Sequence, residues 1–508
     1  MEDHPILYAL LAVFVAVYIV RWRTDPLRHI PTVGGPSVPI LSYWSTFNYL
    51  RNSRALIKEG YERFHGSTFK IALFGQWMVV VSGPKMVDDL RRRPDDEVSF
   101  LEGAEEHPGS CHKTLQLRFT LGREPVDDPF HVEIIREKLM RSLVAVLPDV
   151  IDELQSAVPD YIHAEDDEWI SVNALQTILN IVARTSNRVF VGLAICRNQE
   201  YLNLAIRFTL DVVKDAFLVR NLPESMRASF SRYLGSGKRT ARQAIPHLKP
   251  LLDDRRAKLI EHGDAYPGKP NDMLQWILEE AIPRSYTDVQ IIERILLVNF
   301  AAIHTSSMSL SHALLDLAAY PEYIQPLREE VEAIVAAEGW TKAGMGKMWK
   351  IDSFLKESQR INGIGLTSVT RKVMKDITLL DGTFIPKGTF IGAASYPMHY
   401  DDSIYENASA FDPFRFSRMR GEDGEGTKHQ FVNTSIEYLS FGHGKHACPG
   451  RFFAANELKA MLAFIVLNYD LKFANDSAGR PENVCFGLNL IPNPSAEILF
   501  RRRLPRKA

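Results

Sequence analysis

Apolar residues recur three and four positions apart through most of the stretch from 131 to about 355, the spacing of one helix face. The centre of the chain is therefore predicted to be helical. The longest such pattern runs from about Asp288 to Ala319 and stops before Pro321, which cannot continue a helix. Residues 263 to 271, rich in Gly and Pro, interrupt the helical region, and the pattern resumes at Asp272. Strand signals are fewer. Phe69–Leu73 and Trp77–Val81 flank Gly75-Gln76 and predict a hairpin, and Gly83-Pro84 breaks the chain before a further helix. Strand patterns return between 366 and 395, with turns at Asp381-Gly382 and Pro386-Lys387-Gly388. A last long helix is expected after Pro449, with a short strand-like segment behind it. Residues 95 to 130 show little periodicity and are expected to form a long loop. No internal repeat divides the chain. The expected architecture is mainly α with a minor β-sheet.

The N-terminus departs from this pattern. Ile6 through Val20 carry no charge, with Glu2 and Asp3 before the run and Arg21 and Arg23 after it. Fifteen such residues are short against the roughly 20 that span a bilayer, although Pro5 and Trp22 extend the run and Arg21 can snorkel. A cleaved signal peptide carries its positive charge before the apolar run, the reverse of this order. Residues 1–23 are thus expected to be an uncleaved anchor that leaves the rest of the chain cytosolic. Pro26, Pro31, Gly34, Gly35, Pro36 and Pro39 mark 24–40 as a stiff hinge, followed by one domain over 41–508. With a cytosolic domain, the Asn-x-Ser/Thr matches at Asn407, Asn433 and Asn475 would carry no glycan.

Composition narrows the function classes. The formal net charge is −2, and no basic stripe suggests nucleic acid as a partner. Cysteines stand far apart at 111, 196, 448 and 485, without the spacing of a zinc site or a disulfide framework. Cys111, Cys196 and Cys485 are taken as inert thiols.

Cys448 is different because of its neighbours, Phe441-Gly442-His443-Gly444-Lys445-His446-Ala447-Cys448-Pro449-Gly450. A thiolate that binds iron needs an electropositive setting, nearby backbone N–H groups and a helix N-terminus behind the sulfur. Gly442, Gly444 and Gly450 allow backbone to approach a flat ring closely, and Pro449 is expected at the first helical position. This segment resembles the haem-binding loop of the cytochrome P-450 family, whose pattern is Phe, two residues, Gly, any, Arg, any, Cys, any, Gly. Phe441, Gly444, Cys448 and Gly450 fit, whereas His446 stands where the family has the arginine that pairs a haem propionate. A histidine there carries full charge only at lower pH.

The resemblance extends along the chain. Glu357 and Arg360, three apart on one helix face, are similar to the family's Glu-x-x-Arg pair. Phe411-Asp412-Pro413-Phe414-Arg415-Phe416 is similar to the loop that completes it, with Arg415 as third member of a structural charge network. Arg371 lies where the family places a propionate-binding arginine; a strand-end surface charge is the alternative. Ala301-Ala302-Ile303-His304-Thr305-Ser306 matches the oxygen-activating helix, with Thr305 as proton donor and His304 in the usual acidic position. His304 is either a proton relay or a packed histidine. Arg136 or His131 takes the place of the early-helix residues that contact the propionates. Ala301, Ala302, Thr305 and the segment Leu366 to Val369 are expected to line the substrate pocket.

What the resemblance implies is a helical prism holding haem b between the long helix and the helix after the cysteine loop. Thiolate donation favours heterolysis of dioxygen. The implied activity is monooxygenation of a small lipophilic substrate, terpenoid or steroid-like, in fungal secondary metabolism at the endoplasmic reticulum membrane. Electrons would come from NADPH through a flavoprotein reductase. Two rivals stand beside this reading: a reductase-independent rearrangement on the same fold, which the retained Thr305 argues against, and a non-catalytic haem or lipid carrier.

Overall fold

The computed structural model describes the chain apart from residues 1–4, 39–40, 74–75, 107–123, 166, 221–225, 227–228, 230–234, 476–478 and 504–508. Cys111, Pro39 and the hairpin residue Gly75 lie outside the described residues.

Helices make up most of it, and the long one runs over Asp288–Ala319. Its start is set by a reciprocal cap. The Thr287 side chain accepts from the Gln290 N–H, and the Gln290 side chain accepts from the Thr287 N–H at 2.9 Å. Asp272 caps Met273–Ala281 in one direction only, accepting from the Gln275 N–H at 2.8 Å. The long helix packs against Ala174–Phe190, Gln199–Arg220, Ser236–His262, Trp349–Ile361 and Arg451–Asn468. Together these elements bury the largest apolar core.

A second core lies on a six-stranded sheet with the order Thr32–Val33, Thr68–Leu73, Gln76–Val81, Phe390–Ala393, Ser368–Val373, Val98–Ser99. The expected hairpin is antiparallel, with Ile71 opposite Met78. Ser368–Val373 pairs antiparallel with Phe390–Ala393 through a bulge between Ser368 and Arg371. Val369, inside that bulge, has φ +51°, a left-handed backbone that a β-branched residue adopts only under strain.

Three expectations change. The stretch 95 to 130 is not a continuous loop: Val98 pairs with Val373, and short helices occupy Phe100–Glu106, Glu124–Asp127 and Phe130–Ile134. Each is too short to show a period. The described part of the stiff stretch 24–40 is not separate from the domain that follows. Leu27, Ile30 and Val33 are buried in the sheet core, Val33 pairs with Ile71, and Lys70 Nζ donates to the Leu27 carbonyl at 2.5 Å. Pro449 does not open the last helix, which runs over Arg451–Asn468 with Gly450 as cap.

The N-terminal apolar run forms the helix Pro5–Arg23, of which several side chains are not described. Among the described residues no helix is long and apolar enough to cross a membrane.

One buried acid carries a testable pH dependence. Glu457, on the last helix, is fully enclosed and accepts from the Ser186 hydroxyl at 2.7 Å. Burial pushes its carboxyl up to about 8, against a smaller opposing effect of Ser186. Between the ordinary glutamate value of 4.5 and about 8 the folded state therefore holds more protons than the unfolded chain. Stability from this group is full below that window and falls as pH rises through it. Glu457→Gln is expected to leave the thermal midpoint unchanged near pH 5 and to raise stability at pH 8.5 by on the order of 2–4 kcal/mol. Parallel midpoint-versus-pH curves for the two proteins would refute this.

Candidate active site

The site lies at the seam between the two cores, where apolar packing is interrupted by polar groups. Ile291 through Phe300 are buried without exception on the long helix; the next residue, Ala301, is exposed, and Ala302 and Thr305 are half-buried. Ala301 is the one exposed residue of a helix that is otherwise buried or half-buried along its length. Thr305 Oγ1 donates to the Ala301 carbonyl at 2.8 Å and lies 3.3 Å from that of Ala302, the back-bond expected of a helical threonine. His304 points elsewhere. Its Nε2 lies 3.2 Å from the Ile206 carbonyl on the neighbouring helix Gln199–Arg220. A carbonyl only accepts, so this nitrogen carries the proton. Burial lowers the imidazole below its ordinary range, with the Ile206 carbonyl opposing.

The cysteine loop is closed by its own backbone. Cys448 N–H donates to Phe441 O at 2.8 Å, Gly442 N–H to Leu439 O at 2.8 Å and Ala447 N–H to Gly444 O at 3.0 Å. Gly442 at φ +69° and Gly444 at φ +77° adopt conformations that side chains disfavour, which is why the loop can double back. Arg451 Nη1 caps the Cys448 carbonyl at 3.0 Å. Gly450 faces Ile135, and Phe441 meets Phe431 edge-on with ring centroids 5.4 Å apart.

A charged network behind the loop is nearly dry. Glu357 and Arg360 have no exposed side-chain surface and meet bidentately, at 2.8 Å to Nε and 2.7 Å to Nη2. Arg415 Nε reaches Glu357 at 3.3 Å and its Nη1 donates to Glu406 O at 2.6 Å. Arg360 also donates to the carbonyls of His399, Ala408 and Ala410. The motif thus organises three carbonyls as well as one carboxylate.

Residues outside any motif carry this order to the cysteine. His399 Nε2 accepts from the Leu439 N–H at 3.1 Å, and burial, reinforced by Arg360, pushes its imidazole down to about 3. Tyr438 donates to Gln359 Oε1 at 3.1 Å. Lys356 donates to the Gln430 and Asn433 carbonyls and lies 4.4 Å from the Tyr438 ring; burial lowers its ammonium to about 7. A lone His, Tyr or Lys has no local signal for such a role.

Arg371 is buried and donates to Thr370 O at 2.8 Å. Among the described residues no carboxylate lies within ion-pair distance of it, and burial lowers it to about 10 against the pull of Asp95. A surface charge is therefore excluded. His446 Nε2 lies 2.5 Å from Asp95 Oδ1. Burial lowers His446 despite this bond, and Arg371 adds to the lowering. Burial pushes Asp95 up, but the bonds from Lys445 and His446 together hold it below its ordinary range. Arg136 is exposed and donates to the Lys445 carbonyl at 3.5 Å; His131 instead binds Arg294 at 2.9 Å. Leu366 and Val369 are buried in the sheet core, Leu366 N–H bonding to Leu488 O at 2.8 Å.

These residues fit a haem. Cys448 sits in a loop that its own backbone closes, before the helix Arg451–Asn468, as a thiolate that holds a haem iron would. A buried arginine without a carboxylate partner suits a group that brings its own anions.

Comparison with known proteins agrees. The family model described as Cytochrome P-450 matches residues 33–500. Cytochrome P-450 monooxygenase 103 of Postia placenta is 46% identical, covering 99% of this chain and 99% of its own. The ent-kaurene oxidase P-450-4 of Gibberella fujikuroi is 30% identical over 99% of this chain and 98% of its own. A retinoic-acid-bound cyanobacterial cytochrome P-450 has the same fold, with TM-score 0.68 and 18% identity over 93% of this chain and 99% of that one.

Proposed function

This chain belongs to the cytochrome P-450 family and is a monooxygenase, and from that premise we propose that it inserts one oxygen atom from dioxygen into a small lipophilic molecule of terpenoid or steroid-like type, in fungal secondary metabolism. The observation that carries the reading is the exposed Ala301, with half-buried Ala302 and Thr305, on a helix that packs against the helix behind Cys448. The haem that the family implies supplies the reductive activation of dioxygen when bound. The chain's own residues do the rest. Cys448 would supply the thiolate that holds the haem iron. Phe441, Gly442, Gly444 and Gly450 shape the loop around it. Arg371 would meet the haem carboxylates, with His446 held by Asp95 and Arg136 on the Lys445 carbonyl beside it. Ala301 and Ala302 leave room for substrate, with Leu366 and Val369 behind the pocket wall. Thr305 holds a proton at Oγ1 beside the reacting space, and His304 is packed against Ile206.

The terpenoid preference is supported by the printed activity of the ent-kaurene oxidase among its relatives. An NADPH-dependent flavoprotein reductase is the proposed electron donor, and exposed Arg92, Arg136 and Lys445 beside the cysteine loop suit an acidic partner surface. The proposed location is the endoplasmic reticulum membrane, with residues 1–23 as anchor. The described exposed side chains of that helix include Val13, Val17 and Val20, and Leu41, Trp44 and Phe47 are exposed at the start of the helix Ser42–Arg63.

The test is turnover of candidate terpenoids with purified reductase, NADPH and isotopically labelled dioxygen. One labelled atom in the product supports the proposal. Product without NADPH would favour the rearrangement, and no substrate-dependent oxygen uptake would favour the carrier. Thr305→Ala is expected to lower product formed per NADPH by about tenfold or more, because it removes a positioned proton donor. NADPH consumption then continues with hydrogen peroxide as the outlet. An unchanged ratio of product to NADPH would remove Thr305 from the proton path.

A further inference from the structure

The cysteine loop is tied to a residue that no motif marks. Asp95 lies between the helix Pro84–Arg92 and the strand Val98–Ser99. Its carboxylate meets His446 Nε2 and Lys445 Nζ, each at 2.5 Å. The lysine is 72% exposed and the histidine 18%, so solvent screens the first contact far more than the second. A carboxylate paired with a lysine accepts, so the His446 Nε2 proton points at Asp95 and the ring plane is set by that bond. The ring then stacks on Phe100, with centroids 5.4 Å apart at 22°. Phe100 in turn lies 5.3 Å from the Arg371 guanidinium. Gly103, on the same short helix as Phe100, has no Cβ that would meet the Arg371 backbone at 3.0 Å, so the helix sits directly on that strand.

The order is thus carboxylate, imidazole, aromatic ring, guanidinium. The family arginine would place a charge directly at position 446. Here the buried positive charge on this side is Arg371, and residue 446 is a spacer whose orientation depends on Asp95. We propose that Asp95 is a positioning residue for the cofactor: it locks His446 against Phe100, and that stack holds the Arg371 guanidinium in place for the haem carboxylates. This rests on the haem-thiolate reading above.

The experiment compares the haem-loaded full chain with Asp95→Asn, Lys445→Ala, His446→Arg and the Asp95→Asn/His446→Arg pair. The readouts are the rate of haem transfer to excess apomyoglobin and the Soret position of the reduced protein under carbon monoxide. Asp95→Asn is expected to lose haem about tenfold faster with the Soret position kept, since the thiolate bond is untouched. Lys445→Ala is expected to stay within about twofold of the parent, as an exposed partner should. In the His446→Arg background Asp95→Asn should change little, because a guanidinium brings its own charge and donors. Haem loss from Asp95→Asn at the parent rate overturns the proposal. So does an equal effect of Lys445→Ala, or an equal acceleration by Asp95→Asn in both backgrounds, since either makes Asp95 a loop tie only. A parent protein without a red-shifted Soret band would instead overturn the haem-thiolate reading, and this proposal with it.

Discussion

Cys448→Ala is expected to abolish the strongly red-shifted Soret band that the reduced protein shows under carbon monoxide, and all monooxygenase turnover with it. The effect is the largest available because nothing nearby substitutes for the sulfur. The described loop offers His443 and His446 as other potential ligands, but His443 Nδ1 lies 2.9 Å from the Thr434 hydroxyl and His446 Nε2 is held by Asp95. The loop should survive the substitution. Its closure comes from the Cys448 N–H to Phe441 O bond and from Gly442 and Gly444, none of which uses the side chain. The variant is therefore expected to fold with a far-ultraviolet circular dichroism spectrum like the parent's. A Cys448→Ala protein that keeps the band would assign the ligand elsewhere, and a parent whose band sits where histidine-ligated haems absorb would end the thiolate reading.

Glu357→Gln is expected to cost about 3–5 kcal/mol, enough to consume much of a domain's stability. The carboxylate sits among two guanidinium groups and the Asp412 N–H, which donates to it at 3.0 Å. Glutamine keeps the shape but leaves two enclosed cations without a counter-charge. Because the same arginine holds the His399, Ala408 and Ala410 carbonyls, the damage should spread to the segment Tyr438–Phe441 that leads into the cysteine loop. The measurement is the thermal midpoint together with haem content on purification, and both should fall. Replacing both Glu357 and Arg360 by apolar residues is not expected to restore either, since it would leave three buried carbonyls unbonded. A Glu357→Gln protein with the parent's midpoint and haem content would show that the pair is dispensable.

Much of this was legible along the chain. The long helix occupies Asp288–Ala319, as its pattern predicts, because both ends are marked locally: a capping box at Thr287 and Gln290, and Pro321 beyond. The hairpin, the cysteine loop and the Glu-x-x-Arg spacing were equally plain, since period, glycine positions and i, i+3 neighbours are properties of short segments. The stretch 95 to 130 carries no such signal, because two-residue strands and helices of four to seven residues bury too few side chains to impose a period. Asp95 went unmarked for a related reason: in sequence it is one acid among several in a charged loop, 351 positions from the His446 it holds.

Local order along the chain accounts for which segments are helix or strand, where the proposed sulfur ligand sits and which two charges share a helix face. Those features arise from interactions within a few residues. Partnership across long separations is different in kind. Whether His304 meets solvent, a carboxylate or the Ile206 carbonyl depends on which helix packs alongside. Whether Arg371 is a surface charge or an enclosed one depends on the short helix Phe100–Glu106 lying over its strand, and the left-handed backbone of Val369 exists only because the bulge against Phe390–Ala393 demands it. Packing selects these partners because a buried charge or a strained residue is stable only where neighbours distant in sequence compensate it.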